Sequence, residues 1–504
     1  MTLSSRCQPL EQTTVDAFLV PVFTDDISNP QPLIACFPVA SERLLNVLGT
    51  AEMRGKPGQI LALHLAAGSS AGKLVLMGMG AAEKLTTQTI RESVAAAIRT
   101  VGPYGAKQFG LIPRRGPLSP QAFAQAAVIG AHLATFAVDC YRTEDLRPVQ
   151  AETLTLLSET ADDSALAEGI HRGTILGEAI NFARFLVNEP ANHMTPTELA
   201  HHAQEMANEV GLQTDILNED KMRDLGMEAL LAVARGSVEE PRLIVVWYKP
   251  AANTRPETIG LIGKGITFDT GGISLKPAEN MEKMKYDMAG GAAVLGAMRA
   301  IAQLKPNLNV IGIVPSCENM PSGKATRPGD VVRTMLGKTV EIINTDAEGR
   351  LILCDAMAYA RRLGVTCMVD LATLTGAIAV ALGLRYAGLF SHHPDLVREL
   401  QAAAQAADER VWPLPLDDEY RELIKSDIAD IKNVGGKYAG SITAAWFLRE
   451  FAGDVPWAHL DIANMAWNME NKPHLPKGPT GFGVGTLVEF VMARAQAVNG
   501  PASS

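Results

Sequence analysis

The sequence predicts an α/β protein: an N-terminal α/β domain over residues 1–160, a joining helix over 161–187, and a larger C-terminal α/β domain over 188–504 with a mixed central sheet. Three observations predict it. Short apolar runs alternate with stretches of helical periodicity along most of the chain, the pattern of repeated strand and helix units. A length of 504 residues exceeds one ordinary domain of about 100 to 200 residues. The composition turns polar from Ser158 to Ser164, just ahead of a long helical pattern.

In the first 160 residues, apolar runs such as Ala17 to Phe23 and Lys73 to Gly80 read as strands, and Thr89 to Arg99 reads as a helix. Such alternation favours a mostly parallel sheet. Gly78-Met-Gly80 imitates a dinucleotide loop, but the third glycine is missing because position 83 is Glu83. Ala165 to Val187 carries Leu166, Ile170, Ile175, Leu176, Ile180, Phe182 and Phe185 at helical spacing, with Ser164 as its expected cap. Pro190 and Pro196 then make a turn, and Thr195 with Pro196 starts a helix over Glu198 to Val210. Beyond it, Leu243 to Trp247, Thr258 to Ile262, Val310 to Val314, Val340 to Ile343 and Cys367 to Leu371 read as buried strands. Gly290 to Leu304, Arg350 to Leu363 and Leu396 to Ala407 read as helices between them. The Gly-rich and apolar segments from Lys432, Gly440 and Trp457 are expected to be pocket walls.

Composition narrows the function classes. The apolar share of 47% and charged share of 20%, with mean hydropathy near zero, describe a chain with ample core. A formal charge of −10 argues against a general nucleic-acid or anionic-membrane binder, leaving a local basic patch open. No run approaches the ~18 apolar residues of a membrane span, and the first residues lack a secretory pattern. Six scattered cysteines without a Cys-x-x-Cys pair read as reduced thiols, each a small buried hydrophobe, in a cytoplasmic protein.

The charges concentrate between Leu261 and Asp355. Asp269, Asp287, Asp346 and Glu348 stand with Lys264, Lys276 and Arg350 among glycines, at the ends of apolar strands. A buried carboxylate costs several kcal/mol unless it is paired or binds a metal, and the cations here offset at most three of the four. Asp346 and Glu348 are two apart, which on an extended segment turns both to one face. The alternatives fail on spacing. Gly263-Lys264-Gly265 lacks the Ser or Thr of a phosphate loop, and Ile259 stands where its glycine belongs. There is no Gly-x-Ser-x-Gly and no His-Glu-x-x-His, and the pairs His201-His202 and His392-His393 lack ligand spacing. What remains is a metal site built from carboxylate oxygens, which suit magnesium, manganese and zinc alike. Two such ions about 3.5 to 4 Å apart can activate a water and polarise a carbonyl, which is hydrolase chemistry.

These residues carry a resemblance. Asn344-Thr-Asp-Ala-Glu-Gly-Arg-Leu351 resembles the signature of the leucine aminopeptidase family, and Gly263 to Pro277 and Met284-Lys-Tyr-Asp287 resemble its other site segments in order and spacing. The likeness runs from Asn188 to about Phe490, while the first 160 residues match in general character alone. It implies that residues 188–504 form a dinuclear-metal peptidase domain. Lys264, Asp269, Asp287 and Glu348 are implied as ligands of one divalent ion, and Asp269, Asp346 and Glu348 as ligands of the other. Manganese or zinc is expected, with magnesium or cobalt also suited. Lys276 resembles an oxyanion-stabilising lysine, and Arg350 a residue holding a bicarbonate ion that serves as general base. Met284, Thr373, Leu374, Gly376, Ala463 and Ala466 resemble the pocket for the first side chain of a peptide, with leucine and other apolar residues favoured. Asn464 stands where the family usually has glycine, which bears on side-chain preference. The family's homohexameric assembly is the expected state. Two other readings stay open: a narrow dipeptidase such as a Cys-Gly hydrolase, and a hexameric DNA-binding or architectural protein.

Overall fold

A computed structural model describes the chain except for residues 8–11, 38–39, 67–68, 145, 147, 159–163, 251–256 and 498–504. The described residues divide into two compact units, one of residues 1–181 with 468–478 and the other of residues 182–467 with 479–504. The helix Ser164–Asn188 contains the division at Asn181. Ser164 is its first helical residue rather than its cap, and the residues ahead of it lie outside the described ones. No helix among the described residues is long and apolar enough to cross a membrane.

The first unit holds the six strands β1 (Thr2–Arg6), β2 (Val15–Phe23), β3 (Ile60–His64), β4 (Ala71–Gly80), β5 (Gln108–Leu111) and β6 (Thr153–Leu157), in the order β1-β6-β5-β2-β4-β3. All pairings are parallel except β3 with β4. Alternation along β2 explains the layering. Ala17 and Leu19 enter the core that includes residues of the helices Thr87–Val101 and Pro120–Ala134, and Phe18 and Val20 enter the opposite core with the helices Gln31–Cys36 and Ser41–Gly49.

In the second unit, β7 (Gln213–Leu217), β8 (Arg242–Tyr248), β9 (Thr258–Gly263), β10 (Gly265–Asp269) and β11 (Asn309–Asn319) precede the short β12 (Val331–Arg333) and β13 (Thr339–Glu341). Then come β14 (Cys367–Ala372), β15 (Ala387–Phe390), β16 (Val411–Pro413), β17 (Ile431–Lys432) and β18 (Trp457–Asp461). The large sheet runs β16-β15-β18-β14-β9-β11-β8-β7, with β10 beside β11. Its centre, β18-β14-β9-β11, is parallel, and antiparallel strands flank it, so the sheet is mixed. The expected strand at Val340 to Ile343 is a correction: it shortens to β13 and pairs with β12 and β17 in a separate three-stranded sheet.

The stretch from Trp457 to Asp461 is also not a pocket wall. It is the central strand β18, fully buried, where Trp457 Nε1 and His459 Nδ1 each lie 2.6 Å from the Asp370 carboxylate on β14. Gly440–Ala452 is likewise a core helix. Apolar glycine-containing runs fit either role, and burial decides between them. Of the six cysteines, Cys317, Cys354 and Cys367 are buried as small hydrophobes, whereas Cys7 and Cys140 are exposed and Cys36 is half-buried. All six are free.

One histidine gives the first unit a pH dependence. His132 lies 7% exposed on the helix Pro120–Ala134, and its Nε2 has no hydrogen-bond partner among the described residues. Burial, and secondarily the N-terminal ammonium, push its pKa down to about 4. The folded state therefore resists the proton that the unfolded chain takes up near pH 6.5. This contribution is complete above about pH 6.5 and is lost as the pH falls toward 4, a change of roughly 3 kcal/mol. Denaturant titrations across this range are expected to show the loss in the wild type and a flatter profile in His132→Gln.

Candidate metal and hydrolytic site

The parallel strands of the second unit end on one edge, where open α/β sheets place their sites. Asp269 ends β10, Asn319 ends β11 and Asp461 ends β18, while Lys264 follows β9 and Thr373 follows β14. A close backbone crossing fixes Lys264. Its N–H donates to Leu371 O at 3.0 Å and its carbonyl accepts from Gly291 N at 2.8 Å. Gly290 permits this approach, since a Cβ there would stand 2.2 Å from Leu371 O. Gly349 leaves room for the lysine's far end, as a Cβ would come within 2.8 Å of Lys264 Nζ.

Six of the seven expected charged residues meet here. Lys264 Nζ stands 2.8 Å from Asp287 Oδ2 and 2.7 Å from Glu348 Oε1, and donates to Thr373 O at 3.0 Å. Lys276 Nζ lies 2.7 Å from Asp269 Oδ2 and pairs with Asp346. Asp269, Asp346 and Glu348 each offer an oxygen within 4.8 Å of the others. Lys264, Asp269, Asp287 and Glu348 are buried, whereas Lys276 and Asp346 keep part of their surface in solvent.

The ionisation balance follows. Burial and then Asp269 raise Glu348 well above the usual carboxylate range against the pull of Lys264, and burial raises Asp287 too. Burial and Asp269 raise Asp346 as well. For Lys264, burial favours the neutral amine, but Asp287, Glu348 and Asp269 outweigh it and hold the proton more tightly than usual. The same contest, led by Asp269, raises Lys276. These carboxylates are short of positive charge, and that shortage together with an all-oxygen donor set fits divalent cations.

Asp346 and Glu348 converge without an extended segment. Residues 344–347 form a turn and Glu348 already has helical backbone angles at the start of Gly349–Arg362, so the expected alternation is replaced by a turn-to-helix junction. Side chains that the sequence reading did not single out hold that turn. Asn319 Nδ2 donates to Asp269 Oδ1 at 2.8 Å and to Thr345 O at 3.0 Å. Thr345 Oγ1 donates to Gly271 O and accepts from Ser274 N. Asn433 Nδ2 donates to Asn344 O at 2.7 Å, and the Asn433 carbonyl accepts from Arg350 Nη1 at 2.6 Å. An asparagine ending an apolar strand is the one sequence signal that points to Asn319.

Arg350 is buried, and burial lowers it to about 10 against Glu348 and Asp461. Its Nε has no hydrogen-bond partner among the described residues, which leaves a donor for an anion. Of the expected pocket residues, Thr373 touches the cluster, with Oγ1 donating to Asp287 Oδ1 at 2.7 Å. Met284 sits on the 3-10 helix Met281–Met288 one turn before Asp287. Leu374 and Ala463 both donate backbone N–H groups to Asp461, Ala466 is buried and Gly376 is exposed.

Comparison with known proteins agrees across the chain. Residues 181–488 match the model of the cytosol aminopeptidase family, catalytic domain, and residues 19–145 match that family's N-terminal domain. A probable cytosol aminopeptidase of Solibacter usitatus is 48% identical over 98% of this chain and 99% of its own length. One from Koribacter versatilis is 45% identical, over 97% and 99%. Among solved structures, the bottromycin maturation enzyme BotP in complex with manganese superposes with a TM-score of 0.85 at 36% identity, covering 96% of this chain and 100% of that one. A mutant of tomato leucine aminopeptidase gives 0.88 at 32% identity, covering 98% and 96%.

The crossing at Gly290 is a direct test of the scaffold. Gly290→Ala is expected to lower stability by about 1 to 3 kcal/mol, because backbone rather than a flexible side chain must yield. Urea denaturation checks it, with Gly226→Ala, where a Cβ meets open space but the backbone φ is +74°, as a control for strain without crowding.

Proposed function

From the premise that the chain belongs to the cytosol aminopeptidase family, we propose that it releases the N-terminal residue of peptides with a free amino group, leucine and other apolar residues being favoured. Membership makes the chain a peptidase, a hydrolase. The observation that carries the finer reading is the undercompensated carboxylate cluster at the strand ends.

In this reading Lys264, Asp269, Asp287 and Glu348 hold one divalent cation, and Asp269, Asp346 and Glu348 hold the second. Manganese or zinc is the first choice, and magnesium or cobalt suits the oxygen donors too. When bound, such ions supply Lewis-acid polarisation and a water acidic enough to attack near neutral pH, and bicarbonate supplies a general base. Lys264 must release its proton to act as a ligand, and its four-carbon stem already ends between Asp287 and Glu348. The part-exposed Lys276 ammonium donates to the oxygen that gains charge during carbonyl addition. Arg350 orients the bicarbonate, a role supported by its unpartnered Nε. Met284, Thr373, Leu374, Gly376, Ala463 and Ala466 line the wall for the first side chain. Assembly as a homohexamer belongs to the same reading.

The test is residue release from leucine p-nitroanilide and unblocked peptides after chelator treatment and return of manganese or zinc, beside N-acetylated controls. Cleavage confined to free amino termini and dependent on metal is expected, and cleavage of blocked substrates contradicts the exopeptidase reading. Asp269→Asn and Glu348→Gln are expected to abolish turnover while circular dichroism keeps the wild-type fold. Lys276→Ala is expected to lower kcat by roughly 10²- to 10³-fold at unchanged metal content. Equal loss of metal and turnover in that variant would make Lys276 a ligand instead.

A further inference from the structure

The helix Gly376–Leu382, which carries Gly376 of the proposed pocket, stands on very little core. Of its seven residues only Ile378 is buried, and Val380 is 89% exposed. A helix this short does not persist in water by itself. It begins three residues after Thr373, whose carbonyl accepts from Lys264 Nζ and whose hydroxyl donates to Asp287. Its position therefore bears on the space beside the carboxylate cluster.

One turn, residues 461–464, grips both ends of this helix. At the start, fully buried Asp461 accepts from Leu374 N at 3.2 Å, Thr375 N at 3.4 Å and Thr375 Oγ1 at 2.6 Å, and from its own turn through Ala463 N at 3.3 Å. Thr375 Oγ1 in turn caps the helix by accepting from Ile378 N, and pairs with Ser441 Oγ at 2.7 Å. At the far end, Asn464 Nδ2 donates to Gly383 O at 2.5 Å and Tyr386 O at 2.8 Å. Asn464 is 5% exposed and its Oδ1 has no partner among the described residues, so this amide is bonded as a donor alone.

We propose that Asn464, acting with Asp461, is a positioning residue that clamps the helix Gly376–Leu382 as a fixed wall and thereby sets the preference among N-terminal side chains. The selectivity half of this rests on the aminopeptidase reading; the clamp does not. Asp461 anchors the start of the helix to the central sheet through β18, and Asn464 fixes the far end just ahead of β15. Removing the Asn464 donors frees the far end while leaving the Asp461 contacts and the carboxylate cluster in place.

Wild type, Asn464→Ala and Asn464→Asp are compared by amide hydrogen exchange and by kcat and KM on leucine, phenylalanine and alanine p-nitroanilides with manganese. In Asn464→Ala, amides of residues 376–386 are expected to exchange roughly tenfold faster, with those of β9 and β14 unchanged. Asn464→Asp, which sets an oxygen against both carbonyls, is expected to go further. The ratio of kcat/KM for leucine over alanine is expected to change roughly tenfold, mainly through KM, with kcat on alanine kept. Unchanged exchange over 376–386 overturns the clamp. Faster exchange with an unchanged ratio overturns the role in selectivity. If the wild type releases no residue from any substrate, the aminopeptidase reading fails, the selectivity role falls with it, and exchange alone decides the clamp.

Discussion

Two buried or half-buried ammonium groups hold four carboxylates apart at the edge of the large sheet, and the surrounding structure is arranged around that imbalance. Lys264 bridges Asp287 and Glu348, and Lys276 bridges Asp269 and Asp346. Each lysine is raised by its partners and each of Glu348, Asp287 and Asp346 is raised by burial, so the cluster holds its protons more tightly than exposed groups would. Removing one partner of a buried pair leaves an uncompensated charge, which typically costs about 3 to 5 kcal/mol.

The scaffold meets this constraint with backbone rather than bulk. Parallel strands β18, β14, β9 and β11 bring their ends together, and the crossing at Gly263 and Gly290 lets Lys264 rise between them without a side chain in the way. Neutral amides complete the frame. Asn319 ties Asp269 to the 344–347 turn, Asn433 ties that turn to Arg350, and Asn464 reaches the far end of the helix Gly376–Leu382. An amide satisfies buried backbone donors and acceptors without adding to a charge balance that already leans negative.

Much of this was legible in the chain. The apolar runs at β9, β11 and β14, the helices after Gly290 and Arg350, and the charged cluster itself follow from periodicity and from the cost of burying carboxylates. Other features depend on contacts between residues far apart in sequence. Asn319 and Asn433 look like single polar residues at segment ends, and their partners lie 26 and more positions away. The pairing of Asp346 with Glu348 was expected from strand alternation, whereas a turn running into a helix achieves the same convergence. Trp457 and His459 read as wall because strand β18 is as apolar as a pocket lining, and the Asp370 carboxylate that makes it a buried polar seam sits 87 and 89 residues away.

The most direct measurement is the number of manganese ions bound per chain at equilibrium, in dialysis after chelator treatment, for the wild type and for Asp287→Asn and Asp346→Asn. Asp287 serves one proposed ion and Asp346 the other. The account predicts two ions for the wild type and the loss of one, a different one, in each variant. A wild type that binds none, or variants that bind as many as the wild type, would contradict it.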